Sequence, residues 1–137
     1  MRYRVAHRRA AKRSGLTQVL GALVIDAAIE KLERALSDRT GVYIGPGVDA
    51  DSYFASLASD IRANACSPFP LSATVMAPGF PDVAVGELIS GLCLAHRAGY
   101  WLVYQSEQDR FCCFWGESRS NLGARGVFGK PLYCWSA

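Results

Sequence analysis

The chain has 137 residues, half of them hydrophobic, so one buried core is within reach and one domain is the expectation. Its formal charge of +3 is unevenly placed. Arg2, Arg4, Arg8, Arg9, Lys12 and Arg13 stand in a stretch without an acid, which leaves nine cations against twelve acids from residue 14 onward. A body near −3 repels phosphate slightly, against the phosphate-gathering domain that the overall charge suggests. The basic character belongs to an extension, residues 1–15, read as disordered, ahead of a single α/β domain over 16–137.

Met1–Arg13 followed by Leu16–Ile25 has the polarity of a signal peptide, and Arg8-Arg9 has the form of a twin-arginine pair. The apolar run is short, contains Thr17 and Gln18, and meets Asp26 without a small-residue cleavage site. A tail that touches anionic surfaces, or an extension with no specific task, fits these residues better, and no stretch reaches the ~18 apolar residues of a membrane span. From residue 25 the apolar period is helical, with Ile25, Ala28, Ile29, Leu32, Ala35 and Leu36 on one stripe. Gly41 ends that helix, and Val42-Tyr43-Ile44 reads as a short strand closing on Gly45-Pro46-Gly47. Asp49 or Asp51 caps a second helix with the stripe Phe54, Leu57, Ala58, Ile61 and Ala65, broken by Pro68 and Pro70.

Leu71–Ala77 reads as a strand turning at Pro78–Pro81. Asp82 would cap a third helix carrying Val85, Leu88, Ile89, Leu92, Cys93 and His96, ended by Gly99. Tyr100–Tyr104 and Phe111–Trp115 form an aromatic hairpin, Gly116–Pro131 is a long polar connection, and Leu132–Trp135 is a last strand. This order implies an α/β (α+β) fold: one mixed sheet, antiparallel and aromatic in its C-terminal part, with about three helices packed on it.

Five cysteines, an odd number, favour free thiols and a cytoplasmic setting. Without a CxxC, and with His7 and His96 away from metal-finger spacing, no metal and no other cofactor is expected. Adjacent Cys112 and Cys113 should point to opposite faces of their strand as small fillers. Gly45-Pro46-Gly47 before a helix lacks the spacing of a phosphate loop, and Asp49 and Asp51 would repel an anion there. Cys93 and His96, three apart on the supposed helix, are the one pair that offers a nucleophile and base, without a third orienting group. No catalytic residues are therefore assigned.

The C-terminal third is aromatic on both faces, so its outward rings meet either a second layer or a partner. Its long loop carries Glu117, Arg119, Asn121 and Arg125 beside Trp115, and the hairpin loop adds Glu107 and Asp109; these seven are the candidate partner contacts. Rings with arginines also permit a nucleic-acid reading, which the acidic body opposes.

In organisation the chain resembles small bacterial immunity proteins, the cytoplasmic antitoxins of polymorphic or contact-dependent growth-inhibition toxins. One small domain, free cysteines and the aromatic end Cys113-Phe-Trp-Gly116 … Phe128-Gly-Lys-Pro-Leu-Tyr-Cys-Trp135 carry the likeness, over roughly residues 24–137. The resemblance implies a non-enzymatic toxin inhibitor that binds a cognate toxin domain, often a nuclease, one to one and occludes its active site. The alternatives are a nucleic-acid-binding accessory protein and a small Cys/His-dependent hydrolase or transferase.

Overall fold

The structure, a computed structural model, describes the backbone from Arg2 onward and the side chains from Val19 to Ala137. The side chains of residues 1–15, read as an extension, fall outside those so described. Helix α1 (Arg2–Ala35) buries Ala28, Leu32 and Ala35 as its spacing requires, while Ile29, assigned to the same stripe, stays 42% exposed. Asp49 caps α2 (Ala50–Ala63), accepting from the Ser52 backbone at 3.3 Å and its hydroxyl at 2.6 Å; such a cap contributes about 1 kcal/mol. Phe54, Leu57, Ala58 and Ile61 of α2 go inward.

Strands β1 (Ala65–Val75), β2 (Leu88–Arg97), β3 (Tyr100–Gln105) and β4 (Arg110–Trp115) form an antiparallel meander. Its turns follow their residues: Ala98 and Gly99 both take positive φ, 45° and 81°, the two-residue hairpin geometry that matches strand twist. The short strand β5 (Gly123–Ala124) pairs antiparallel with Trp115 of β4 and parallel with Thr74 and Val75 of β1. Five strands thus close a ring, and the one parallel seam follows because five directions cannot alternate around a circle. A second two-residue strand, β6 (Phe128–Gly129), continues the β4 edge opposite Phe111 and Cys112, and α3 (Pro131–Ser136) ends the chain.

Strand alternation sorts the side chains into two cores. Inside the ring, Leu71, Ala73, Val75, Trp101, Val103 and Phe114 meet, so this small barrel is filled by side chains. Outside it, Leu94, Leu102, Phe111 and Cys113 pack against Leu32, Ile61 and Leu132 of the three helices. Cys112 and Cys113 do face opposite ways, one into each core. The architecture is one α+β domain: a six-stranded mixed sheet with three helices.

Four local readings are corrected. Val42–Ile44 alternates as expected, with Tyr43 outward and its neighbours half-buried against the helices, but no strand edge lies beside it and it runs as a strap. Pro68 and Pro70 do not break the chain; they lie within β1, where a bulge between Ala65 and Phe69 absorbs the irregularity, and Ala65 begins that strand instead of ending the helix stripe. The segment carrying Leu88, Ile89, Leu92, Cys93 and His96 is strand β2, not a helix. Both faces of its second half are covered, so apolar residues fall at nearly every position and satisfy helical spacing by coincidence, while Gly99 marks a hairpin. Leu132–Trp135 is helix α3 because Pro131 occupies its first position, where a missing N–H costs nothing.

Candidate functional site

The helices cover the outer face of β3, β4 and the second half of β2, but not that of β1. There the alternation that sends Leu71, Ala73 and Val75 inward turns Ser72 and Thr74 out, opposite Ser90 and Leu88. The Ser72 and Ser90 hydroxyls meet at 2.6 Å, Leu88 is 70% exposed, and Met76 just beyond the strand is 45% exposed. Three adjoining hollows of about 540, 420 and 420 Å³ run across this face; the first two share Pro70 and Leu88, and the last two share Thr74, Asn121 and Leu122.

The margin beside Met76 is the loop between β4 and β5. Gly116 opens it, its N–H bonded to Gly99 O at 2.9 Å and its carbonyl accepting from the Trp101 indole at 2.8 Å. Its φ of 149°, and the Asn121 carbonyl 2.6 Å from where a Cβ would stand, leave room only for glycine. Buried Leu122 anchors the other end, and between them Ser118 and Ser120 hydrogen-bond to each other at 2.8 Å. The loop is thus held from both ends and from within, and it presents Arg119 and Asn121. Arg119 lies 4.0 Å over the Phe69 ring, which meets Trp101 and His96 edge-on. At Gly123 the Met76 sulfur comes to 2.6 Å of the place a Cβ would take, which sets Met76 across β5 toward Trp115 and Arg125.

Of the seven residues singled out in the sequence, five line this band. Trp115, Asn121 and Arg125 share the third hollow, Arg119 and Asn121 the second, and Glu107 the far end of the first, facing Val24 of α1. Asp109 is drawn away: Lys31 holds it at 3.0 Å and the Tyr104 hydroxyl donates to it at 2.8 Å, and these partners lower its carboxyl below the usual range. Burial, with the Asp109 charge adding, pushes Tyr104 up to about 12. Glu117 is exposed and lines none of the three hollows. Sequence reasoning missed Ser72, Thr74, Met76, Leu88 and Ser90. The alternation of Leu71–Val75 held a signal for the first two; Leu88 and Ser90 were hidden by the helical reading of their strand.

Cys93 and His96 are engaged with other groups and not hydrogen-bonded to each other. Cys93 points into the barrel, where burial, with Cys66 adjacent, raises its thiol to about 12 and its S–H faces the Ala95 carbonyl at 3.6 Å. His96 stacks on Trp101 at 4.6 Å. Burial likewise holds Cys112 at about 12 and raises Cys66, and all five cysteines are free. Among the described residues no three His, Cys, Asp or Glu gather in a way that could hold an ion, and no helix is long and apolar enough to cross a membrane. No family model, no curated protein and no solved structure matches this chain, so its site rests on its own geometry.

Proposed function

We propose that the protein is a non-enzymatic inhibitor that acts by binding another protein, an immunity protein of the cytoplasm that covers the active site of its cognate toxin domain. The observation that carries this reading is the uncovered band across β1 and β2. It joins exposed Leu88 and Met76 to small hydroxyl-bearing residues, with Arg119 and Arg125 along one margin and Glu107 at the opposite end. Apolar side chains ringed by charged groups on a rigid sheet suit protein recognition, where the centre supplies affinity and the rim sets register. Burial of the thiols, with Cys93 turned to the Ala95 carbonyl and His96 stacked on Trp101, favours this reading over the Cys/His hydrolase or transferase. The acidic body disfavours nucleic acid as the partner.

The test is co-expression with the product of the neighbouring gene. A one-to-one complex that survives high salt is the expected result, and Leu88→Asp or the pair Arg119→Glu and Arg125→Glu should weaken it by roughly 10- to 100-fold. Recovery of no complex, together with turnover of a small substrate by the purified chain, would dismiss the proposal.

A further inference from the structure

Helix α1 bears two apolar stripes, and the body of the protein uses one. Ala28, Leu32 and Ala35 enter the core, whereas Val19, Leu20, Leu23 and Val24 recur at helical spacing on a neighbouring face and remain 59%, 62%, 60% and 50% exposed. Val24 borders the groove of the candidate site; Leu20 and Leu23 do not line it. The stripe has a charged neighbour in the sequence. Six arginines and lysines precede it, and the first acid of the chain is Asp26.

We propose that α1 docks the protein on an anionic lipid surface, lying in the headgroup plane with Leu20 and Leu23 against the acyl boundary and the basic residues against lipid phosphates. A helix that combines an apolar face with excess cations has both terms such adsorption needs, area removed from water and attraction to negative headgroups. Charge selects this occupant over a second copy of the chain packed in parallel. Two such helices side by side in parallel would bring two blocks of six cations together, while an anionic bilayer meets the same block with opposite charge.

The full chain is mixed with phosphatidylcholine vesicles, and with the same vesicles containing about one third phosphatidylglycerol, and sedimented. Binding to the anionic vesicles should be at least about tenfold tighter, should weaken severalfold on raising salt, and should be lost in the double variant Leu20→Glu/Leu23→Glu. Arg9→Gln/Arg13→Gln, which leaves every described side chain in place, should weaken the anionic binding alone. Equal binding to both vesicle types, binding to neither, or an unchanged Leu20→Glu/Leu23→Glu variant overturns the proposal. So does a dimer in the wild type that this variant dissolves without any vesicle binding, which would assign the stripe to a second copy.

Discussion

The guanidinium of Arg110 donates to Gln105 Oε1 at 2.7 Å and to both Asp82 oxygens at 2.9 and 3.1 Å, while it also lies over the rings of Phe80 and Phe128. It pins the loop between β1 and β2 to the start of β4. The Arg110 contact holds the Asp82 carboxyl below its ordinary value of 3.8, and Thr40 and Lys31 do the same for Asp38 and Asp109. With carboxyls depressed in the folded state, the unfolded chain binds more protons in the acid range. Their stabilisation is complete above the ordinary value and drains away as pH falls through the lowered ones. Thermal melts from about pH 5 to pH 2 should therefore show a steep acid limb, shallower in Asp82→Asn; identical limbs would mean that the latch carries no stability. The thiols make a second prediction at this scale. Cys66 alone is half-buried and the other four are buried, so a thiol reagent near neutral pH should label Cys66 in the native protein and reach the rest only after denaturation. Fast native labelling of Cys93 would contradict the geometry and reopen a nucleophilic role.

Elements were legible where a stripe has a single buried side. The stripes of α1 and α2 show one period because each packs one face into the core. The hairpin of β3 and β4, packed on both faces, was legible instead from its aromatic strand residues and the polar loop between them. Strand β2 was not legible, since Leu94 and Ala95 enter one core while Ile89 and Cys93 enter the other, and a strand used on both sides loses its period of two. Gly91 is the trace of its true state. A Cβ there would stand 2.5 Å from Val103 Cγ1 and 2.7 Å from the Tyr104 carbonyl, an approach between paired strands that a helix would not demand. Gly91→Ala should cost about 2 kcal/mol in urea unfolding, and a neutral result would refute the close packing of β2 on β3. The prolines of β1 are equally specific. Thr74 and Met76 turn their N–H groups toward β5, at 2.9 and 2.8 Å from Leu122 O and Ala124 O, and by alternation Pro70 faces the same way where no strand pairs with it. A residue without an N–H there blunts an open edge. Pro70→Val should add the missing donor and produce concentration-dependent self-association, measurable by light scattering; a variant that stays as dispersed as the wild type would show that the edge is protected by other means.

At the scale of the molecule, closure of the ring was beyond the reach of the sequence. It depends on Gly123 and Ala124, two residues inside a stretch whose composition reads as a loop, meeting a strand nearly fifty residues earlier. The candidate band shares that fate, since Arg119, Asn121 and Arg125 announce themselves as loop residues but Leu88 and Thr74 become neighbours only through the register of β1 on β2. Of the five seams, the two made by β5 are short, with two residue pairs to β1 and one to β4, whereas β3–β4 has six. Amide exchange should rank them in that order, the Thr74 and Met76 amides opening well before those of Leu102 or Val103. Uniform protection around the ring would deny that it has a weak side.

That weak side lies beneath the second and third hollows, whose walls are Thr74 on one lip and Asn121 and Leu122 on the other. Whatever rests across both lips acts as a hoop on a stave barrel: it holds the short joint shut. Occupancy would then be written in the fold itself, as a melting temperature that climbs with ligand concentration and as silence in the exchange of Thr74, without any assay of what the ligand does.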